Sequence, residues 1–372
     1  MLAFGGRIEK NGEMRGTPDP QLAMLTSLST EDLVPVDHPI RRIRVVVDAV
    51  LGELDDTFDA MYAAGGRRSV PPEVLLKSSV LMAMYSIRSE RAFCERLNYD
   101  LLFKWFLDMR IDERAFDATT FSKNRTRLLE HEVADEFFAA VVDQAKLRRY
   151  VSSEHFTVDG TLLKAWASHK SFKPKDGPPA EPPTGRNSEV QWHGERRTND
   201  THASTTDPEA RLYRKSNNTA ATLCYSGHLL MENRSALIVD AELTFADGYA
   251  ERATAQVMLT RLPAMARRRT VGGDKGYDTK AFVAGVRGLG FTPHVAPNTK
   301  HSAIDARTTR HQGHQVSMRI RKRIEEPFGW MKTIGGGRQL RYRGRQRNRA
   351  WFKMTAAVYN LIRITNLDAQ PA

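Results

Sequence analysis

The sequence predicts an α+β/α/β fold class, in which an all-helical N-terminal domain is followed by a mixed-sheet domain with flanking helices. Between residues 38 and 149 the apolar residues recur at helical spacing. The first such set is Ile40, Ile43, Val46, Val47 and Val50. Beyond residue 149, short runs of β-branched and aromatic residues alternate with helical stretches, a pattern typical of a mixed sheet.

Length and these patterns divide the chain into three parts. At 372 residues the chain is long enough to bury two cores. Residues 1–35 start with a Gly/Arg-rich stretch and predict a flexible N-terminus. Residues 36–150 predict the helical domain, with five or six short helices. Residues 151–366 predict the mixed-sheet domain.

The predicted order of the second domain is three strands, helix, strand, helix, strand, helix. The strands are expected at 156–158, 222–231, 236–243, 269–273 and 291–296, and the helices at 250–265, 279–287 and 312–332. An insertion at about residues 173–210 is rich in Pro, Gly, Ser, Thr, Asn and charge. It has no hydrophobic periodicity, so we expect a loop that is flexible over much of its length.

Two residues carry local expectations within these helices. Pro327 should kink the last helix or end it near Glu326, because proline lacks the N–H that the helix interior needs. Asp278 precedes the helix predicted at 279–287 and is expected to be its N-cap. Asp240 falls inside a predicted strand and is expected to be structural.

The charge of the chain points to a polyanionic partner. Lys and Arg number 56 against 44 Asp and Glu, a net charge of +12. Many soluble proteins are basic, so an ordinary basic surface remains the alternative to a surface that binds a polyanion. Two cysteines, Cys94 and Cys224, lie among apolar neighbours and are expected to be reduced core residues. Without a signal-peptide core or a membrane-spanning stretch, a cytoplasmic protein is expected.

Three carboxylates stand in distinctive settings. Asp159 ends an apolar run and precedes Gly160, Asp274 ends the predicted strand at 269–273, and Glu325 lies on a basic helix. Carboxylate oxygens suit Mg²⁺, and a pair of divalent ions stabilises both the attacking and the leaving oxygen of a phosphoryl displacement. The alternatives are acids in bare turns for the two aspartates and a solvated Arg321–Glu325 pair for the helix.

The order of these acids resembles that of the DDE transposases of bacterial insertion sequences. Arg321-x3-Glu325-x6-Lys332 is similar to their Tyr-x2-Arg-x3-Glu-x6-Lys signature, an IS4-like third motif, although Met318 stands where the signature has Tyr. Four other segments resemble the insertion sequence five family. They are Pro72-Glu73-Val74-Leu75-Leu76, Asp117-Ala118-Thr119-Thr120-Phe121-Ser122, Asp207-Pro208-Glu209-Ala210-Arg211 and Gly273-Asp274-Lys275-Gly276-Tyr277-Asp278. The likeness covers about residues 35–366.

This resemblance implies a fold and a site. The fold would be an RNase H-like core, with the two aspartates at adjacent strand ends and the glutamate on a later helix. Asp159, Asp274 and Glu325 would be the catalytic residues and would hold two Mg²⁺ (or Mn²⁺) ions. Arg321 and Lys332 would contact DNA phosphate near the reacting end. The partners would be the terminal inverted repeats and target DNA, and the chain would form at least a dimer on DNA ends.

A run of arginines follows the third motif. Six arginines fall within residues 338–349 without an acidic residue between them. We expect contacts to the DNA phosphate backbone with little sequence readout, the alternative being a solvated charged face. The predicted DNA-binding residues here are Arg338, Arg341, Arg343 and Arg345.

Two rival functions remain open. One is a metal-dependent DNA nuclease that uses the same fold without strand transfer. The other is a catalytically silent DNA-binding repressor descended from a transposase, against which the three acids argue. No Gly-rich phosphate loop of the Walker type occurs, so ATP is not implied.

Overall fold

The computed structural model describes residues 29–61, 69–175, 197–216 and 218–370. The first part of the chain is helical, as predicted, but it divides into more helices than the expected five or six. They are α1 (Thr30–Leu33), α2 (Pro39–Gly52), α3 (Asp55–Met61), α4 (Pro72–Met84), α5 (Glu90–Leu97), α6 (Leu101–Phe106), α7 (Thr119–Glu130) and α8 (Val133–Leu147). Proline opens α2 and α4 at the first helical position, where its missing N–H costs nothing.

A mixed sheet follows the helices. Its strands, and a separate two-stranded pair formed by β2 and β3, are β1 (His155–Lys164), β2 (Phe172–Pro174), β3 (His202–Ser204), β4 (Arg211–Tyr213), β5 (Thr222–Glu232), β6 (Ile238–Phe245), β7 (Arg269–Gly273) and β8 (Phe291–Val295). The central strand β1 pairs with β5 antiparallel on one side and with β7 parallel on the other. Both β4 and β6 pair antiparallel with the far edge of β5, and β8 pairs parallel with β7.

The remaining helices flank this sheet. They are α9 (Ala250–Thr260), α10 (Lys280–Gly288), α11 (Ala306–Thr309), α12 (Gln312–Ile320), α13 (Glu325–Thr333) and α14 (Arg345–Asp368). The basic helix expected at 312–332 is therefore divided, with a 3₁₀ turn at Arg321–Ile324. Pro327 does not end a helix near Glu326: it lies in the first turn of α13, where no helical N–H is needed.

The two faces of β1 contribute to different cores. Phe156 and Val158 belong to a cluster with Met258 of α9 and Phe282 of α10. Residues on the other face, such as Leu163, belong to a larger cluster that also contains the N-terminal helices, β5, β6 and α14. A boundary at residue 150 stays a prediction, because apolar packing is continuous across it.

The expected insertion contains structure of its own. Residues 176–196 lie outside the described part, as does most of the expected flexible N-terminus, of which 29–35 are described. The described remainder of the insertion is not the plain loop that we predicted. The Ser171 and Ser204 hydroxyls lie 2.7 Å apart, and the fully buried Asp207 accepts a hydrogen bond from the Tyr225 hydroxyl at 2.9 Å.

Two further expectations can be compared with the structure. Asp278 is not the N-cap of α10; the Thr279 side chain accepts the capping hydrogen bond from the Phe282 N–H, while Asp278 accepts from the N–H groups of Asn298 and Ala303. Cys94 and Cys224 are buried free thiols, as expected. No helix in the described ranges is long and apolar enough to cross a membrane.

Candidate active site

Asp159 lies inside β1. The sequence had suggested a position at the end of a strand, and that expectation is wrong. Pairing between β1 and β7 stops at Thr157, so the edge of β1 is open beside Asp159. The half-buried carboxylate accepts a hydrogen bond from the Gly160 N–H at 2.9 Å. Burial, with smaller contributions from Asp274 and Glu251, raises the pKa of Asp159 to about 6.

Asp274 directly follows β7 and lies beside Asp159. Thr157 is opposite Gly272, so two residues further along the parallel pair Asp159 reaches the level of Asp274. Asp274 opens the 3₁₀ turn Lys275–Tyr277 and accepts a hydrogen bond from the Gly276 N–H at 2.8 Å. The structure therefore brings the two sequence-predicted aspartates together.

The segment that carries the third motif runs along β1. At its start, the Cβ of Arg321 lies 3.4 Å from the position that a Cβ on Gly272 would occupy. Gly272 of β7 pairs with Thr157 of β1. At its end, Lys332 donates a hydrogen bond from Nζ to the Thr161 Oγ1 at 2.5 Å. Glu325 is an exposed residue between these two contacts, at the start of α13.

The third acid does not join the aspartates in a closed cluster. In the described part of the chain, no three His, Cys, Asp or Glu side chains are close enough together to hold a metal ion. Glu325 stands on the segment beside Asp159, with its side chain exposed. Its sequence neighbour Glu326 is also exposed, but it accepts a hydrogen bond from the Tyr359 hydroxyl at 3.3 Å.

Arg321 has no acidic partner among the described residues. The solvated Arg321–Glu325 pair, which was the alternative interpretation of this motif, is not formed. The Nε of Arg321 is buried, and within the described ranges it has no hydrogen-bond acceptor. A buried donor without an acceptor is costly, so this guanidinium is suited to an acceptor from outside the chain.

Two lysines lie near Asp159. Burial and the nearby Lys215 lower the pKa of Lys332, while Asp159 opposes that shift. Lys215, an exposed residue just after β4, also acts on Asp159 and on Glu251. Sequence reasoning missed Lys215, because a single lysine in a polar stretch carries no signal.

Glu251, in the first turn of α9, was also missed. Its Cγ and Oε1 lie 2.7 and 2.8 Å from the position that a Cβ on Gly160 would occupy. Burial, and then Asp274, raise the pKa of this carboxyl. An acidic residue in a first helical turn is common, so no local pattern singles out Glu251.

The arginine run is divided between solvent and protein. Arg338 and Arg343 are exposed. Arg341 donates to the Ile87 carbonyl at 3.3 Å, and the Arg345 guanidinium lies over the Phe245 ring at 5.5 Å. Arg349, at the end of the run, is committed to ion pairs with Asp135 at 2.7 Å and with Glu242.

The segment 207–211 has a structural task. Asp207 accepts a hydrogen bond from the Gly344 N–H at 3.1 Å, and Glu209 accepts one from the Arg345 N–H at 2.5 Å. These two acids fix the turn that leads into α14. The arginines around that turn are held in place as a result.

Comparison with known proteins gives two family matches. A model described as "Transposase domain (DUF772)" matches residues 28–127, and one described as "Transposase DDE domain" matches residues 188–361. The second match includes Asp274 and Glu325 and begins after Asp159. No curated protein matches the chain.

Two solved structures are similar over most of the chain. One is a piggyBac transposase synaptic complex with hairpin DNA, at 8% identity, covering 92% of this chain and 78% of that chain, with a TM-score of 0.42. The other is a pre-cleavage Mos1 transpososome, at 10% identity, covering 84% of each chain, with a TM-score of 0.20.

Proposed function

This chain is a DDE transposase, and from that premise we propose that it binds the terminal inverted repeats of an insertion sequence and catalyses Mg²⁺-dependent DNA cleavage and strand transfer. Asp159, Asp274 and Glu325 would be its catalytic residues. The single observation that carries the proposal is the placement of Asp159 beside Asp274 on adjacent strands, with the third motif running alongside.

The strand order supports an RNase H-like core for this transposase. Three antiparallel strands, β6, β5 and β1, are continued by the parallel strands β7 and β8. We assign the chain to the insertion sequence five family on the likeness of its sequence motifs. The helical part would supply recognition of the terminal repeats.

The carboxylates fit a divalent cation by their donor chemistry. Asp159 and Asp274 place hard oxygen donors side by side, and the charge of Asp274 adds to the burial that raises the pKa of Asp159. Mg²⁺ or Mn²⁺ would offset that repulsion. When bound, a pair of such ions would stabilise both the attacking and the leaving oxygen of the displacement.

Helix geometry supports Glu325 as the third acid. Glu325 and Lys332 are seven residues apart in α13, two turns on the same helical face. Because Lys332 contacts Thr161, that face is turned toward β1. Glu326 lies on a different face and contacts Tyr359.

Arg321 and Lys332 would hold the DNA backbone during the reaction. Neither cation is paired with a carboxylate in the described part of the chain, and the two flank the level of Asp159 on β1. A phosphate between them would receive charge-assisted hydrogen bonds. The exposed Arg338 and Arg343, together with Arg341 and Arg345, would extend this contact along the duplex.

The reaction would proceed in two displacements at phosphorus. Water attacks the phosphodiester at the element end, and the bond to the 3′ oxygen breaks to leave a free 3′-OH. That 3′-OH then attacks a phosphodiester of target DNA, forming one new bond as another breaks, without a covalent protein intermediate. Because two ends are joined to one target, we expect at least a dimer on DNA.

A strand-transfer assay tests this proposal. The end DNA is made from the inverted repeats that flank the reading frame. It is offered either intact or pre-cut, and each reaction contains Mg²⁺, Mn²⁺ or EDTA. We expect metal-dependent cleavage of intact ends and joining of pre-cut ends to a target plasmid. Cleavage without joining would identify a nuclease, and binding without either reaction would identify a repressor.

A further inference from the structure

We infer that a cleft at the end of β1 binds an unpaired nucleotide of DNA, whose base stacks on Trp166. The inference rests on the proposed function, because it takes DNA as the substrate of this chain. The cleft has a volume of about 510 Å³, and its lining includes Lys164, Trp166, His169, Thr206, Thr222 and Gln339. None of the sequence motifs contains Trp166.

Trp166 presents an uncovered aromatic ring. It is 48% exposed, whereas Trp105 and Trp351 are 4% and 7% exposed. Within the described part of the chain, Trp166 forms no hydrogen bond and no contact with another ring or with a cation. A large ring that lies open in a cleft without a partner is available for stacking on a flat ligand.

The backbone around Trp166 is held in place although its side chain is not. Before it, the Ala165 N–H donates a hydrogen bond to the Leu223 carbonyl at 2.9 Å, which continues the pairing of β1 with β5. After it comes a short turn, in which the Ser171 hydroxyl donates to the Ser168 carbonyl at 2.7 Å. A ring on a fixed backbone loses little further freedom when it binds a ligand, so stacking is favoured.

The surroundings of the ring are basic. Lys164 is exposed, and no carboxylate in the described ranges pairs with it. Its carbonyl accepts a hydrogen bond from the Leu340 N–H at 2.7 Å, so the arginine run starts beside the cleft, with Arg338 exposed. None of the described residues that line the cleft is acidic. The cations suit a phosphate, and the ring suits the base attached to it.

Stacking on Trp166 requires a base that is not paired within a duplex, where neighbouring bases cover both of its faces. The open edge of β1 leads from Asp159 to Lys164, where Gln339 pairs with the strand. Asp159 and Trp166 are seven residues apart, and an extended chain of that length spans at most about 23 Å. At roughly 3.4 Å per nucleotide, the unpaired nucleotide would lie within about seven nucleotides of the reacting phosphate.

Binding of a labelled single-stranded oligonucleotide of mixed sequence to the full-length protein, measured by fluorescence anisotropy, tests the inference. Trp166→Ala should weaken this binding by about tenfold, which is typical of losing one stacked base. Trp166→Phe keeps a ring and should retain most of the affinity. Lys164→Ala should reduce the salt slope by about 0.7. Tyr99→Ala removes an exposed ring outside the cleft and is the matched control that should bind as the wild type.

An oligonucleotide that keeps the sugar–phosphate backbone but lacks the bases separates stacking from a structural role. Stacking predicts that the wild type and Trp166→Ala bind it equally. A structural role predicts that Trp166→Ala binds both oligonucleotides more weakly and melts at a lower temperature, which would overturn the inference. Unchanged affinity of Trp166→Ala for the ordinary oligonucleotide would also overturn it, since the cleft would then have another occupant. If Trp166→Ala fails to fold, Trp166→Leu decides in the same way.

The strand-transfer assay keeps this inference separate from the proposed function. If the wild type cleaves and joins ends but Trp166→Ala binds single strands as the wild type does, only the role of the cleft is wrong. If the wild type neither cleaves nor joins ends while single-strand binding depends on Trp166, the proposed reaction fails and the cleft remains a site for unpaired DNA.

Discussion

Lys332 of α13 donates a hydrogen bond to the hydroxyl of Thr161 in β1, with the two atoms 2.5 Å apart. This contact ties the helix of the third motif to the strand that carries Asp159, only two residues from it on the same face of β1. The position of α13 beside β1 therefore depends in part on a lysine that we also expect to bind phosphate.

Substitutions at these two positions should separate the two roles of Lys332. Thr161→Val removes the acceptor and keeps the cation, so we expect about a fivefold loss of cleavage rate, the equivalent of one hydrogen bond. Lys332→Ala removes both, and about a hundredfold loss is expected because the DNA phosphate is no longer held in place. Single-turnover cleavage of end DNA measures both rates. Equal losses would mean that Lys332 acts only by positioning α13.

Charge-neutral substitution of the three proposed acids should abolish cleavage without loss of DNA binding. Asp159→Asn, Asp274→Asn and Glu325→Gln each remove a metal ligand at nearly constant volume, and we expect losses of more than about a thousandfold. Glu326→Gln is the matched control and should be mild, since Glu326 contacts Tyr359. An inactive Glu326→Gln beside an active Glu325→Gln would assign the third acid to Glu326.

The exposed arginines should act on phosphate. Arg338→Ala and Arg343→Ala should each weaken binding to end DNA and to scrambled duplex alike, and each should reduce the salt slope by roughly one. Titrations at two salt concentrations measure both effects. A loss confined to end DNA would show that these residues contact bases.

Local sequence patterns were sufficient for some elements. The strand at 269–273 was predicted with the bounds that the structure has, because the β-branched Thr270 and Val271 are followed by Asp274 and a glycine turn. The strand at His155–Lys164 was predicted only as 156–158. Asp159-Gly160 resembles a turn, and its glycine is explained by Glu251, which is distant in sequence.

The same distinction applies to the site. The two aspartates were singled out because each follows a run that predicts a short strand, but only Asp274 follows a strand, since Asp159 lies inside β1. The parallel pairing of β1 with β7 brings the two residues to the same level. Glu251 and Lys215 could not be predicted, because what distinguishes them is a neighbour supplied by another element. The break at Arg321–Ile324 was also missed, since the proline that suggested a break lies three residues beyond it.

Arg349 should contribute to stability and not to DNA binding. It donates to both carboxylate oxygens of Asp135 in α8, at 2.8 and 2.7 Å, and also pairs with Glu242 in β6. Arg349→Met would leave two partly buried acids with one fewer cation, and we expect a loss of about 2–3 kcal/mol in the free energy of unfolding. Denaturant unfolding measures it, with Arg343→Ala as the control. Weaker DNA binding at unchanged stability would contradict this assignment.

Acid should loosen the helix that leads into the third motif. His294 of β8 is buried, its Nδ1 lies 2.7 Å from the Ser317 Oγ of α12, and its ring packs edge-on against His314. Burial, followed by the neighbouring His314, His155 and His311, lowers the pKa of His294 to about 4. The unfolded chain therefore binds this proton more readily than the folded chain.

The stability that neutral His294 provides is present above about pH 6.5 and is lost as the pH falls toward 4, by up to about 3 kcal/mol. His294→Asn keeps a neutral amide near Ser317 and should reduce the steepness of this acid destabilisation. His169→Asn, at an exposed position, should leave it unchanged. Denaturant unfolding between pH 4 and 7 measures the three slopes. If the wild type and His294→Asn lose stability in parallel, His294 does not titrate in this window and another buried group causes the acid sensitivity.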